Sequence, residues 1–254
     1  MISCLTISTA SRWPLLRQAI VDFSRQTFAD RELVIVYEGD RAFSSHLEQE
    51  IASYSSLLRV RLHPAPPEQT LGALRNLSVS LAEGELVCQW DDDDRHHPLR
   101  LQRQMDALAG EAADACFLVD QMHLFMATQE IFWEDWDREP YPMNLIPGTL
   151  LAKKLQLPQY PDEPRGEDSA LISGLLRDER RIARLRGAGW LVIYRYHGDN
   201  AWDYAHHRAI TRAKHVRAAR ILSHESALRN RLSEFDPPLG PMTMPHEAGQ
   251  LRFE

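Results

Sequence analysis

The chain has 254 residues, of which 44% are hydrophobic and 26% charged, with a formal net charge of −7. This is the composition of a globular protein with a sizeable core, and the pI of about 5.9 argues against nucleic acid as the main partner. The sequence has neither a signal-like N-terminus nor an apolar run of the roughly 18 residues that span a bilayer, so secretion and membrane insertion are not expected.

Three cysteines, Cys4, Cys88 and Cys116, each lie within an apolar run. Their odd number and wide separation along the chain are typical of buried, reduced thiols. The sequence therefore predicts neither a disulfide nor a zinc cluster, and it predicts a cytoplasmic protein.

The first half of the chain alternates strand-like and helix-like segments, the pattern of a parallel sheet covered by helices. The strand SCLTIS precedes a helix whose first turn suits Pro14. ELVIVY and LRVRLH predict two further strands, and a helix carrying Leu74 and Leu81 on one face precedes the strand GELVCQW. Pro98 marks the start of another helix, and ACFLVD is the next predicted strand.

The pattern changes in the second half. The stretch from Gln121 to Pro164 is rich in Trp, Pro and acidic residues, which predicts loops and short strands built for a substrate. A helix around residues 171–176 and the strand WLVIYRY follow, and the stretch from Tyr204 to Phe235 predicts basic helices. Residues 236–254 are predicted to form a loosely held tail.

Four consecutive aspartates, Asp91 to Asp94, follow the strand GELVCQW directly. Ligands of open α/β sheets bind at the carboxyl ends of strands, so a site is expected here. If extended geometry persists through the motif, Asp91 and Asp93 point to one side about 6 to 7 Å apart, where one carboxylate can reach a ribose and the other a divalent cation. A solvated acidic loop, or an N-cap for the following helix, explains the same residues.

Three further segments carry candidate site residues. LGALRN places Arg75 one turn into a helix, where it either binds phosphate or lies on the helix surface. GEDSALI begins a helix, so Asp168 is either its cap or a rigidly held catalytic carboxylate. HGDNAW follows a strand, and His197 is either a metal or phosphate ligand or a hydrogen-bonded histidine at the strand end.

Taken in order, these segments resemble the family 2 glycosyltransferases. The matching segments are SCLTISTASR, QTFADRELVIVYEGD, LGALRNLSVSLAEGELVCQWDDDDRHHPLRLQRQ, GTLLAKK, GEDSAL and YRYHGDNAW. The resemblance implies an α/β fold of the GT-A type, with a Rossmann-like mixed sheet flanked by helices in a single domain at 1–235. That domain would merge a nucleotide-sugar-binding half at about 1–119 with an acceptor half at about 120–203, followed by C-terminal helices at 204–235.

The resemblance also implies roles for individual residues. Asp168 would be the general base, and Glu167 a neighbour that positions it or the acceptor. The metal would be held by Asp93 with His197 and Asp91, and Asn200 and Trp202 would lie on the acceptor side. The implied donor-binding residues are Thr9, Arg12, Glu38, Asp40, Arg75, Asn76, Asp91 and Asp92.

One segment departs from the family pattern. YEGD stands where the family usually has an acidic pair followed by glycine and serine, so Glu38 replaces an aspartate that contacts the base.

The implied reaction is transfer of a sugar, with inversion, from a nucleoside-diphosphate donor to a carbohydrate, lipid-linked or other hydroxyl acceptor. A UDP-sugar is the favoured donor, Mn²⁺ or Mg²⁺ is the implied cofactor, and bacterial surface glycan, glycolipid or natural-product glycosylation is the implied setting.

Two alternatives stay open. A nucleotidyltransferase would share the α/β sheet and a carboxylate-bound metal, but TASRWP lacks the glycine-rich phosphate loop that such enzymes use after the first strand. A non-catalytic sugar-nucleotide-binding module would keep the fold without the activity. The basic C-terminal helices either make peripheral contact with an anionic membrane or form a solvated face.

Overall fold

The computed structural model describes residues 1–54 and 58–254, which form two mixed β-sheets flanked by helices. The strands are β1 (Ile2–Thr9), β2 (Arg31–Glu38), β3 (Arg59–Pro64), β4 (Leu86–Gln89), β5 (Arg95–His96), β6 (Ala115–Leu118), β7 (Asp120–Phe125), β8 (Glu130–Asp135), β9 (Leu151–Lys153), β10 (Ile182–Leu185), β11 (Val192–Tyr196), β12 (Met242–His246) and β13 (Gly249–Phe253). The helices are α1 (Trp13–Ser24), α2 (Arg41–Ala52), α3 (Leu71–Leu81), α4 (Arg100–Gly110), α5 (Glu167–Arg177), α6 (Tyr204–Lys214), α7 (Ala218–Ser223) and α8 (Glu225–Leu232).

The first sheet has seven strands in the order β10-β6-β9-β4-β1-β2-β3. All neighbours are parallel except β9, which runs antiparallel to both β4 and β6. Successive strand residues face opposite sides, so Cys4 and Ile35 pack under α1, α2 and α4, whereas Leu5 and Val34 pack on the side of α3. The sheet is therefore buried on both faces, as the continuous apolar run of β2 predicts.

The second sheet has six strands in the order β13-β12-β8-β7-β11-β5. The hairpin of β7 and β8 lies at its centre, with β11 parallel to β7. The apolar side chains of α7 and α8, among them Ile221 and Leu228, pack on this sheet together with Met122 and Trp133. Short strands in the stretch from residue 121 onward agree with the sequence-based expectation for this region.

The prediction of a loose tail at 236–254 is wrong. Strands β12 and β13 form an antiparallel hairpin that extends the second sheet beyond β8. Met242, Met244, Leu251 and Phe253 are all buried against the sheet core. Within each strand these residues are two positions apart, which is the strand period, so their side chains lie on one face. The segment therefore has an apolar face although its overall hydrophobicity is low.

The three cysteines are buried, free thiols. Cys4 and Cys88, although far apart in the sequence, are register partners on the adjacent strands β1 and β4. Among the helices of residues 1–54 and 58–254, none combines the length and the apolar character needed to cross a membrane.

Trp90 packs the end of β4 against α1. Its side chain is fully buried, its indole N–H donates to the carbonyl of Ala19 at 3.1 Å, and its ring meets that of Phe23 edge to face at 6.0 Å. We expect Trp90→Ala to lower the free energy of unfolding by roughly 3–5 kcal/mol, because the cavity left in the core cannot close. Urea denaturation followed by circular dichroism measures this change.

The matched control is Leu155→Ala, since Leu155 is 93% exposed. That substitution should change the free energy of unfolding by less than about 0.5 kcal/mol. A loss for Trp90→Ala no larger than that of the control would contradict the packing role of Trp90.

Candidate functional site

A cleft of about 270 Å³ lies at the carboxyl ends of β1 and β4, facing the start of α5; we call it the acidic cleft. It joins residues from distant parts of the sequence. Of the residues predicted from the sequence, those lining it are Arg12, Arg75, Asp91, Asp92, Asp93, Glu167, Asp168, Asn200 and Trp202. Asp93 and Asp168 therefore open into one space, although 75 positions separate them in the sequence.

The four aspartates do not continue a strand, so the expected alternation of Asp91 and Asp93 is wrong. β4 ends at Gln89, and residues 91–94 form a turn. In a turn, successive side chains point toward different elements. Asp91 accepts from the side chain of Gln89 at 2.9 Å, whereas Asp94 is buried behind the turn. Contacts with Gln89 and Arg12 offset part of the repulsion among these adjacent carboxylates.

Asp92 and Asp93 share the guanidinium of Arg12, whose Nη2 lies 2.8 Å from Asp92 Oδ1 and 2.5 Å from Asp93 Oδ2. The hydroxyl of Ser8 donates to Asp92, and His197 Nε2 lies 3.2 Å from Asp93 Oδ2. Burial, together with the charge of Asp93, raises the pKa of Asp92 to about 7. For Asp93, contacts with His197 and Arg12 outweigh burial and lower the pKa. Asp93 is therefore the more firmly ionised of the two and the better ligand for a cation.

Arg75 ties the end of β4 to the start of α5. Its Nε lies 2.8 Å from Glu167 Oε1, and its Nη2 lies 3.1 Å from Asp91 Oδ1. Burial alone would lower the pKa of Arg75, but the charges of Asp91 and Glu167 raise it, so the guanidinium is a permanent cation in the cleft wall. The three side chains form a buried network rather than the exposed helix surface that the sequence left as an alternative.

Asp168 lies in the first turn of α5 but is not its cap. The N-cap is Gly166, whose φ of 78° is a left-handed conformation that glycine adopts without strain. The Asp168 carboxylate accepts from the backbone N–H of Ser169 at 2.7 Å. Burial raises the pKa of Asp168 above the ordinary value of 3.8, which makes its carboxylate a stronger base than a solvated one.

Three predicted donor-binding residues lie outside the lining of the cleft, near the carboxyl ends of β1 and β2. The hydroxyl of Thr9 pairs with that of Ser11 at 2.9 Å. Glu38 is exposed at the end of β2, and Asp40 caps α2 by accepting from the backbone N–H of Phe43 at 2.8 Å. Their roles toward a nucleotide stay predictions.

Asn76 and His197 also do not line the cleft. The side-chain amide of Asn76 makes two hydrogen bonds with the backbone of Tyr160. Its N–H donates to the carbonyl at 2.8 Å, and its oxygen accepts from the N–H at 2.9 Å. These bonds hold the segment before α5 against α3. His197 lies behind Asp93, and its backbone N–H donates to Asn200 Oδ1 at 2.9 Å. His197 therefore contacts a residue of the cleft, Asp93, without lining the cleft itself.

Sequence reasoning missed several residues of the site. Tyr194 lines the cleft from β11. The adjacent Arg195 is buried, and burial lowers its pKa to about 10. Its guanidinium donates to the backbone carbonyl of Asp93, and its backbone N–H donates to the carboxylate of Asp94. Ser8 holds Asp92 from β1. The available signal was position: WLVIYRY runs directly into HGDNAW, so its last residues lie at the strand end beside the predicted site.

The surroundings of Asp93 suit a divalent cation that is held jointly with a substrate. No cluster of three or more His, Cys, Asp or Glu side chains within residues 1–54 and 58–254 could hold a metal alone. Asp93 Oδ2 and His197 Nε2 are 3.2 Å apart, close to the roughly 3 Å between neighbouring ligands that are each about 2.1 Å from an octahedral ion. Mg²⁺ is commonly bound by one or two carboxylates plus substrate phosphates. Arg12 contacts the same Asp93 oxygen, so a cation there competes with its guanidinium.

Solved structures with the same fold are numerous. TarS from S. aureus in complex with UDP has a TM-score of 0.58 at 13% identity, over 92% of this chain and 80% of that one. Mannosyltransferase PcManGT from Pyrobaculum calidifontis, in complex with GDP-Man and Mn²⁺, has a TM-score of 0.61 at 14% identity, over 92% and 69%. GalNAc-T7 with UDP, GalNAc and Mn²⁺ has a TM-score of 0.57 at 11% identity, over 77% and 44%.

Sequence comparison identifies the family. The family model described as glycosyl transferase family 2 matches residues 4–150, more than half of the chain. A search of curated protein sequences finds no significant match. The matched residues contain most of β1, the aspartates after β4 and Arg75, which all belong to one wall of the acidic cleft. The predicted fold class is confirmed, and the chain belongs to glycosyltransferase family 2, with a GT-A fold.

Proposed function

We propose that this glycosyltransferase moves a sugar, with inversion, from a nucleoside-diphosphate donor to an acceptor hydroxyl, with the help of Mn²⁺ or Mg²⁺. The observation that carries the proposal is the acidic cleft, where Arg12, Asp93 and Asp168 line one space. In an in-line displacement, the leaving group and the attacking hydroxyl lie on opposite sides of one carbon. A cation would serve the departing diphosphate on one side and a base the hydroxyl on the other, so both must border a single cavity.

On the donor side, Arg12 and Arg75 would bind the diphosphate, and Asp91 and Asp92 would contact the ribose and the transferred sugar. Thr9, Glu38 and Asp40, at the ends of β1 and β2, would contact the nucleoside. A uridine donor is favoured, in keeping with the UDP bound by TarS, while the GDP-Man bound by PcManGT indicates that the fold also accepts guanosine.

On the acceptor side, Asp168 would take the proton of the acceptor hydroxyl as its oxygen attacks the anomeric carbon opposite the diphosphate. Glu167, held by Arg75 at 2.8 Å, would fix the first turn of α5 and so the position of Asp168. Asn200 and Trp202 would border the acceptor. A single displacement of this kind inverts the anomeric centre.

Asp93 and His197 are the residues that would hold the cation. When bound, the cation would neutralise charge that develops on the departing diphosphate. Arg12, which contacts both Asp92 and Asp93, would then be available to the diphosphate as a second positive group.

The test of the proposed function is a screen of nucleotide sugars for release of nucleoside diphosphate, with and without Mn²⁺. We expect at least one donor to be turned over, faster with Mn²⁺ than with a chelator. If every donor is inert and none raises the melting temperature, the proposal is wrong. If a donor raises the melting temperature but none is turned over, the non-catalytic sugar-nucleotide-binding module becomes the better interpretation.

A second measurement tests the assignment of the cation site. We expect Asp93→Asn to weaken Mn²⁺ binding at least about tenfold, the lower end of the loss seen when even outer-shell partners are removed. Mn²⁺ binding is measured directly by electron paramagnetic resonance in the presence of nucleoside diphosphate, independently of turnover. The control is Asp199→Asn, an exposed carboxylate in the loop that carries His197. Equal Mn²⁺ affinity in both variants would rule out Asp93 as a ligand.

We also propose that the protein acts in the cytoplasm, supported by three buried, reduced thiols.

For the basic C-terminal helices we favour a solvated face over membrane contact. Arg208, Lys214 and Arg220 pair with acidic side chains of the second sheet or the segment after it, so much of this positive charge is already neutralised within the molecule.

A further inference from the structure

A second pocket, of about 230 Å³, adjoins the acidic cleft at Asp168. We call it the histidine pocket, because His123, His206 and His207 line it together with Trp136. The residues that line both spaces are Asp91, Asp168, Ser169, Tyr194 and Trp202. A group bound in the histidine pocket would therefore lie beside the carboxylate proposed as the base.

The buried Glu134 fixes the orientation of the His123 ring. The Glu134 carboxylate accepts from His123 Nδ1 at 2.8 Å, from the hydroxyl of Thr211 at 2.8 Å and from the amide of Gln121 at 3.1 Å. Burial alone would raise the pKa of Glu134, but the hydrogen bonds have the larger combined effect, and the net pKa is lowered. Glu134 is therefore ionised. An ionised carboxylate only accepts, so His123 donates from Nδ1, and its Nε2 makes no bond to Glu134.

Three side chains that line the pocket each carry a buried polar atom without a partner among the described residues: Nε2 of His123, Nε2 of His207 and the indole N–H of Trp136. The two histidines are only 1% and 4% exposed. Burial lowers the pKa of His207 to about 4, so its imidazole is neutral near pH 7. Because a buried polar atom without a partner is unfavourable, these atoms mark positions where hydroxyl groups of a ligand can bond.

The rim of the pocket is flat and aromatic. Trp202, half exposed, stacks on His206 with ring centres 4.9 Å apart and planes 24° from parallel. An aromatic surface next to a few fixed polar atoms suits a ring with one apolar face and hydroxyl groups at its edge.

The charges of the pocket disfavour an anion. Asp91, Asp94 and Asp168 line it, whereas no Lys or Arg does within the described parts of the chain. Lys214 approaches the ring of Trp136 at 4.3 Å but pairs with Glu139. A phosphate or carboxylate group on the ligand would approach the carboxylates of Asp91 and Asp168, with no Lys or Arg in the described lining to bond it, which opposes binding.

We propose that the histidine pocket is the acceptor site, and that the acceptor is an uncharged, polyhydroxylated ring of the pyranose type whose hydroxyl groups bond His123 and His207. This inference rests on the proposed function, because the acceptor is identified by its position beside Asp168. It goes further in naming the chemical class of the acceptor and the side chains that select it.

The first test uses matched pairs of methyl pyranosides, each neutral sugar beside its 6-phosphate and its uronic acid. Binding to the full chain is measured by saturation-transfer NMR without any donor. We expect neutral members to bind at least about tenfold more tightly than their anionic partners. The inference is wrong if an anionic member binds as tightly as its neutral partner, or if no neutral pyranoside in the set binds.

The second test uses variants and separates acceptor from donor. His207→Phe removes a ring nitrogen that can bond a hydroxyl group while keeping an aromatic ring, and His206→Ala removes half of the exposed stack. Each should weaken neutral-sugar binding about five- to tenfold, the worth of one such contact, and leave nucleoside-diphosphate affinity unchanged. His224→Phe, the same change at an exposed position outside the pocket, is the control. Because His206 is exposed, His206→Ala stays informative if His207→Phe does not fold.

Failure of the inference differs from failure of the proposed function. Donor hydrolysis without acceptor, together with preferential binding of anionic sugars, would overturn only the inference. Absence of turnover with every donor would overturn the proposed function, while the NMR pairs would still report the chemistry of the pocket.

Discussion

Asp168→Asn is expected to lower kcat by about 10²–10⁴-fold, the usual contribution of a positioned general base, while the affinity for nucleoside diphosphate stays close to that of the unmodified protein. The substitution removes the proton acceptor but keeps the shape of the side chain, its contact with Ser169 and the start of α5. Initial rates of nucleoside-diphosphate release at saturating donor and acceptor measure kcat, and calorimetry measures nucleotide affinity.

The pH dependence of kcat sharpens this prediction. A base must be deprotonated to act, so kcat should fall as the pH drops through the pKa of Asp168. Burial raises that pKa above the ordinary 3.8, so the acid limb should lie above that value and should be missing from the residual activity of Asp168→Asn. The control is Asp178→Asn, at the exposed end of α5. A kcat for Asp168→Asn within about tenfold of the original would mean that another group accepts the proton.

Arg75→Met is expected to lower the free energy of unfolding by roughly 3–5 kcal/mol, the cost of breaking a buried ion pair by removing one partner. Glu167 is 2% exposed, and its carboxylate would be left in the interior without its cation. Methionine keeps much of the length of the side chain, so the loss reports charge rather than an empty volume. Urea denaturation near neutral pH measures it.

A double variant separates the ion pair from packing. Arg75→Met with Glu167→Gln removes the stranded charge, so it should be more stable than Arg75→Met alone. The control is Arg177→Met at the far end of α5, where an arginine that is 75% exposed lies 3.6 Å from Asp178; its loss should stay below about 1 kcal/mol. If the double variant is no more stable than Arg75→Met, the network is not held by the charge pair.

Local pattern was sufficient for much of the fold. β1, β2 and α3 were predictable because burial on one or both sides imposes a period that can be read along a few residues. The hairpin of β12 and β13 was missed although its apolar residues alternate, because they lie among Pro, Gly and His residues typical of a tail. β9 was hidden for another reason. It is only three residues long and enters the sheet between β4 and β6 from a distant segment.

The site shows the same division. Residue types and their order in the sequence determined the family, the candidate carboxylates and the expectation of a site after β4, since these depend on chemistry and local spacing. Only the tertiary structure decided that Arg12 bridges Asp92 and Asp93, that Arg75 pairs with both Asp91 and Glu167, and that a pocket lined by three histidines adjoins Asp168. Such contacts depend on strand order and on turns that redirect adjacent side chains, and long-range pairing of this kind leaves no period in the sequence.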